Sequence, residues 1–170
     1  MLRPLTLVFL LFLFKLTAQA QTEDEYWATW NKNYPQVNIL DMLASEKKYA
    51  DSIEKDPKIP PYYVRTGKYR FEAEYMDETR KIDTAVLSSV KRVHKWFGGD
   101  PAQIDNLIKS ETLIKVGDQK IWMPVQQNIL KAIKEEAKKG EVLMLYCALF
   151  NEHTSKNKLY NSLLISEFSK

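Results

Sequence analysis

Cysteine and histidine are almost absent from this sequence. Cys147 is the single cysteine, and His94 and His153 are the two histidines. A lone cysteine forms no intramolecular disulfide, so packing must stabilise the fold. None of these residues has the C-x-x-C or H-x-x-x-H spacing of a metal site, and Cys147 lies in an apolar segment. The interpretation is a core cysteine and two surface histidines, with no metal and no cofactor.

Short catalytic motifs are also lacking. The chain contains no G-x-S-x-G and no H-E-x-x-H, and neither of the glycine-rich phosphate-binding motifs. Glycosidases need paired carboxylates, and Glu72 and Glu74 share one face of a predicted strand. Because Arg70 precedes them on that face, a solvated strand face is the simpler interpretation. No residue is therefore predicted to be catalytic.

No excess of one charge is present. The 25 Lys and Arg residues oppose 22 Asp and Glu, and Arg3 and Lys15 lie in the N-terminal leader, which leaves 23 against 22. Nucleic-acid binders usually cluster Lys and Arg on one face, so no nucleic-acid partner is predicted. With 5 glycines, 7 prolines and 12% aromatic residues, the composition indicates a compact domain.

The longest apolar run opens the chain. A short basic start precedes Leu5–Phe14, and an A-x-A-like site ends at Ala20. The run is shorter than the roughly 20 residues that cross a bilayer. We predict a signal peptide over residues 1–20 with cleavage between Ala20 and Gln21. The expected protein is secreted, periplasmic or extracellular, and has no integral membrane segment after cleavage.

Two helices are predicted at the start of the mature chain, within an N-terminal helical segment at 21–60. The first covers Glu23–Asn33, and the second begins after Asn38 and ends by Asp56, before a proline-rich stretch. An aromatic stripe at helical spacing on the first helix is interpreted as docking on the protein's own core. The stripe consists of Tyr26, Trp27, Trp30 and Tyr34.

A strand-rich α+β domain is predicted at 61–170. It begins with a strand at Tyr69–Met76, whose apolar and charged residues alternate. A helix capped by Asp83 follows and ends near Trp96. The remaining predicted elements are a hairpin at Glu111–Val125, a helix at Gln126–Lys139, a central strand at Val142–Phe150, a polar loop at Asn151–Lys158 and a strand at Leu159–Phe168.

This order of elements predicts an α+β fold. A helix between the third and fourth of five strands is typical of a small OB-like five-stranded barrel, here with added N-terminal helices. An open antiparallel sheet with helices on one face explains the same order.

The C-terminal part of the chain resembles uncharacterised exported bacterial proteins of unknown function. The resemblance lies in residues 117–126, 140–146 and 164–168 (GDQKIWMPVQ, GEVLMLY and LISEF) and extends over about fifty residues. It implies a bacterial, periplasmic protein and no particular chemistry.

The candidate binding residues are Trp96, Phe97 and His153. The aromatic pair stands beside Gly98-Gly99 where a helix meets a loop, and exposed aromatic residues favour binding sites. In an OB-like barrel, this loop and the Asn151–Lys158 loop border the ligand face.

The function predicted is an exported, non-catalytic binding or accessory module for a protein or cell-envelope component. The alternative is a small exported hydrolase acting on cell-wall or glycan substrates, with Glu72, Glu74 or Asp100 gathered in a cleft. A pocket that holds two carboxylates, one of them with its pKa raised by burial, would favour the hydrolase.

Overall fold

The computed structural model describes residues 22–56 and 58–170. They form an α+β fold with five helices and one five-stranded mixed sheet, so the predicted α+β class is confirmed. The predicted signal peptide and its cleavage site between Ala20 and Gln21 lie outside the described residues. Among the helices of the described ranges, none has both the length and the apolar composition that crossing a membrane requires.

Both of the first two helices begin at a capping residue, and the cap of the second, Asn38, is the predicted one. α1 (Glu23–Asn33) starts with a capping box, in which Thr22 and Glu25 each accept a hydrogen bond from the other's backbone N–H. α2 (Ile39–Lys55) starts after Asn38, whose side chain accepts from the N–H groups of the first turn.

The aromatic stripe of α1 packs on the strands. Trp27 stacks on Tyr146 with ring centroids 5.6 Å apart, and Trp30 and Tyr34 also contact the Tyr146 ring. The Tyr26 hydroxyl donates a hydrogen bond to Glu167. The prediction that this stripe docks on the protein's own core is confirmed.

The five strands pair in the order β1-β2-β3-β5-β4, and β1 also pairs with β4, so the pairings close into a ring. The strand pairs of this ring are antiparallel except for β3 and β5, which pair in parallel at Val125 and Ile165. The alternative of an open antiparallel sheet is therefore wrong, because the sheet is mixed and its strands pair in a ring. The strands are β1 (Tyr63–Lys81), β2 (Ile108–Val116), β3 (Gln119–Gln126), β4 (Val142–His153) and β5 (Leu159–Ser169).

β1 is much longer than the predicted Tyr69–Met76. Its first part pairs with β4 as far as Glu74, and its last part pairs with β2. The register with β2 shifts between Tyr75 and Thr79, and Asp77 there has a φ of 55°. Such an irregularity bends a strand, so the first part of β1 can pair with β4 and its last part with β2. The first part of β1 lacks regular alternation, so the periodicity could not reveal it.

Three further helices cover the strands: α3 (Thr84–Trp96), α4 (Pro101–Leu107) and α5 (Gln127–Glu136). α3 begins after the predicted cap, Asp83. β4 carries buried side chains on both of its faces. Leu145 and its alternate neighbours face the larger core, to which α5 contributes, whereas Phe150 on the other face packs against a second cluster beneath α3 and α4.

The polar loop predicted at Asn151–Lys158 begins three residues too early. Asn151, Glu152 and His153 continue β4, pair with both β1 and β5, and are fully buried. Their polarity suggested a loop, but each side chain finds a hydrogen-bonding partner on another element. Buried polar groups are tolerated when they are bonded in this way.

Candidate functional site

Trp96 and Phe97 lie at the carboxyl end of α3, on a turn with a fixed backbone. The N–H groups of Phe97, Gly98 and Gly99 donate to carbonyl groups of the last helical turn, at 3.0 to 3.2 Å. Gly98 has a φ of +86°, which glycine adopts without strain. The chain then enters α4 through Asp100, whose carboxylate accepts from the Ala102 N–H. The double glycine therefore ends the helix and holds the two aromatic residues at its tip.

Both aromatic side chains are largely open to solvent. Trp96 is 65% exposed and Phe97 is 58% exposed. The Trp96 ring meets the ring of Tyr62 edge to face, with centroids 5.8 Å apart. We call Tyr62, Trp96 and Phe97 the aromatic patch. Large aromatic residues usually bury most of their surface, so two such exposed neighbours are a feature that folding alone does not require.

An ion pair lies beneath the patch and links α3 to β4. The guanidinium of Arg92 donates two hydrogen bonds, each 2.7 Å long, to the fully buried carboxylate of Glu152. The Tyr62 hydroxyl lies 3.4 Å from the same carboxylate. Burial by itself raises the pKa of Glu152, but the hydrogen bonds and charge of Arg92, together with the hydroxyl groups of Ser89 and Tyr62, lower it by more, so the pKa is lowered. Glu152 therefore stays ionised and fixes the end of α3 on the sheet.

His153 does not join Trp96 and Phe97 on the surface. It is fully buried, so the interpretation of a surface histidine is wrong for this residue. Its Nδ1 donates to the carbonyl oxygen of Pro61, and its Nε2 lies 2.8 Å from Oε1 of Glu54 on α2. Its ring stacks on Tyr63. His153 thus fixes the segment that carries Tyr62 and supports the patch from within the fold.

The carboxylates considered for a hydrolase are not gathered together. Glu72 is exposed on the outer face of β1, where it lines shallow depressions, one of about 490 Å³. Glu74 pairs with Lys115 at 3.1 Å, and Asp100 caps α4. Within residues 22–56 and 58–170, no three His, Cys, Asp or Glu side chains stand close enough to hold a metal ion.

The shifted pKa values of Glu141, Glu152 and Cys147 indicate neither a general acid nor a reactive thiol. The pKa of Glu141, like that of Glu152, is lowered, in this case chiefly by a hydrogen bond from the Lys138 backbone N–H. A general acid needs the opposite shift. Burial raises the pKa of the Cys147 thiol, which keeps it protonated and unreactive.

Tyr62, Arg92 and Glu152 were not identified from the sequence as parts of one site. Arg92 is 60 positions from Glu152, and Tyr62 is 90 positions from it. No local spacing connects them. The one available signal was the polar triplet Asn151–His153 directly after an apolar strand.

Comparison of the chain with protein-family models, with curated proteins and with solved structures finds no match in any of the three. Function must therefore be inferred from the site itself.

Proposed function

We propose that this protein is an exported, non-catalytic binding or accessory module that engages a protein or cell-envelope component through the aromatic patch. The observation that carries the proposal is the exposure of Trp96 and Phe97, at 65% and 58%, on a turn whose backbone is held by three hydrogen bonds. Trp side chains are enriched among the residues that dominate binding energies. A rigid turn also lowers the entropy that is lost on binding.

The ring of strands is proposed to be an OB-like barrel that serves as the scaffold. The strand order and the position of α5 between β3 and β4 support this assignment. In such a barrel, the β1–β2 connection, which contains Trp96 and Phe97, and the β4–β5 turn border the ligand face. The contacts of Tyr62 with Trp96 and Glu152 support this, because they join the β1–β2 connection to the end of β4.

The binding role is favoured over hydrolysis by the chemistry of the carboxylates. Glu74 is neutralised by Lys115, and Asp100 is engaged in a helix cap. The pKa values of Glu141 and Glu152 are both lowered, whereas a general acid needs a raised pKa. The alternative of a cell-wall or glycan hydrolase would rest on Glu72, and its test is whether Glu72→Gln changes any measured hydrolysis.

Export is proposed from the N-terminal leader, with the periplasm or the external medium as destination. A partner would be met in that compartment. The balanced charge of the mature chain favours a protein or envelope component over nucleic acid.

The test is capture on immobilised protein from envelope and periplasmic extracts of the source organism. We expect the Trp96→Ala/Phe97→Ala variant to lose a partner that the wild type retains, with a melting temperature within a few degrees of the wild type. Val142 is also apolar and 57% exposed but belongs to β4, so Val142→Ala is the control and should retain the partner. Equal capture of every protein and every lipid component by the wild type and the double variant would refute the proposal.

A further inference from the structure

We infer that the aromatic patch docks this protein on an anionic lipid bilayer, with Trp96 and Phe97 entering the headgroup region and nearby lysines contacting lipid phosphates. This inference rests on the proposed function, because it names the envelope component that the patch binds.

The shape of the patch favours a partner with a deformable surface. Trp96 and Phe97 are exposed at the tip of a helix, and a Cβ built on Gly98 would meet no atom within 4 Å. The turn therefore projects into open space. A projecting tip needs a matching cavity in a protein partner, whereas a lipid headgroup layer deforms around it without such complementarity.

The apolar residues are of the kind that lipid interfaces hold. Trp places an apolar body in the acyl boundary and keeps its N–H near water. Ile59, three residues before Tyr62, is 40% exposed and adds an aliphatic side chain to the neighbouring segment. Pro60 and Pro61 stiffen that segment, and His153 holds the Pro61 carbonyl.

The end of the molecule that carries the patch is positively charged. Three segments meet there through the contacts of Tyr62, Arg92, Glu152 and His153, and they cover residues 54–56 with 58–62, 91–100 and 152–158. Together they contain seven Lys and Arg against four Asp and Glu, and Lys91 among them also pairs with Asp105 outside these segments. The rest of the mature chain has 16 Lys and Arg against 18 Asp and Glu. The mature chain as a whole is therefore nearly neutral, but positively charged residues are in excess at the end that carries the patch.

Several of these cations are free to reach lipid phosphates. Lys58 and Lys95 are exposed and make no ion pair within the part of the chain that the structure describes, and Lys95 directly precedes Trp96. Glu152, by contrast, is buried and already neutralised by Arg92. Each lysine near an anionic bilayer strengthens binding about fivefold. Aromatic insertion and cationic attraction therefore act at the same surface.

The test is sedimentation of the protein, expressed from the full chain, with vesicles of phosphatidylethanolamine containing about one third phosphatidylglycerol. Vesicles of phosphatidylcholine alone supply the uncharged comparison. We expect binding to the anionic vesicles that falls with added salt. Trp96→Ala/Phe97→Ala should weaken it at least about tenfold, and Lys95→Gln about fivefold, on the anionic vesicles only. Val142→Ala should bind as the wild type does.

A second measurement detects insertion directly. Brominated acyl chains quench a tryptophan that enters the bilayer. We expect partial quenching in the wild type and much less in Trp96→Phe, which keeps an apolar ring and should still sediment with the vesicles. Melting temperatures show that each variant is folded.

Failure of the inference and failure of the proposed function have different signatures. Absence of binding to anionic vesicles, or equal binding by the wild type and the double aromatic variant, overturns the lipid assignment. If the same double variant nevertheless loses a captured protein partner, the patch is a protein-binding site and the proposed function stands. If neither vesicle binding nor capture depends on the patch, both are wrong.

Discussion

Replacing Arg92 by Met should destabilise the protein far more than the loss of a surface ion pair. The carboxylate of Glu152 is fully buried and receives two hydrogen bonds from Arg92. Breaking a buried ion pair costs about 3–5 kcal/mol, because one charge is left without a partner. The Arg92 side chain is 48% exposed, so water replaces part of the lost interaction and the lower end of that range applies. We expect a loss of about 3 kcal/mol, or about 6–12 °C in melting temperature.

The pH dependence of this loss tests its electrostatic origin. In the wild type the pKa of Glu152 is lowered, so its ionised form stabilises the fold above the unfolded-state pKa of about 4. That stabilisation is lost as the pH falls through the lower, folded-state value. In Arg92→Met, burial without a partner raises the pKa instead. The difference between wild type and variant should therefore be largest near pH 7 and shrink as the pH approaches 4.

The assay is urea unfolding of three variants at several pH values. Arg92→Met/Glu152→Leu removes both charges and should be more stable than Arg92→Met alone. Lys47→Met breaks the exposed Lys47–Asp51 pair and should change stability by less than about 0.5 kcal/mol. A loss below about 1 kcal/mol for Arg92→Met, or a loss that does not vary with pH, would refute this account of the ion pair.

Three further outcomes are expected. Leu145 is 1% exposed in β4, so Leu145→Ala should cost about 2–5 kcal/mol in urea unfolding, and a loss below about 0.5 kcal/mol would contradict its central position. Cys147 should resist a thiol reagent in the native protein and react once urea unfolds it; rapid native labelling would show that the strand opens readily. Mass spectrometry of the exported protein should find a chain that begins at Gln21, and an intact leader there would contradict the predicted cleavage after Ala20.

Short-range chemistry explains why several elements were predictable. Asn38 and Asp83 cap helices through hydrogen bonds to N–H groups two or three residues away. Those contacts require only the local chain, so they can be identified from a few consecutive residues. Gly98, directly after Phe97, acts in the same way, since its positive φ ends α3 within the local chain.

The full lengths of strands β1 and β4 could not be predicted, because residues far away in the sequence stabilise the additional parts of these strands. Asn151, Glu152 and His153 resemble a loop in composition. They become a buried strand end because β1 and β5 flank them, and because Arg92 bonds Glu152 and Glu54 bonds His153. Those partners are 60 and 99 positions away along the chain.

Two groups of aromatic residues also differ in a way that only contacts with distant segments decide. Each group consists of two large aromatic residues in or directly after a helix. The first group is Trp27 and Trp30 on α1, and the second is Trp96 and Phe97 at the end of α3. The first group is partly covered because its rings contact the ring of Tyr146, whereas Trp96 contacts the ring of Tyr62 edge to face and stays 65% exposed.

By itself the sequence determined the α+β class, the helix caps, the apolar character of the central strand and the absence of an intramolecular disulfide. Each of these depends on residue type or on hydrogen bonds within one turn. Only the tertiary structure decided that β1 pairs with both β2 and β4, that Glu152 is buried against Arg92, and that the aromatic patch remains open. Exposure and pairing depend on which distant segments meet, and no local pattern specifies that.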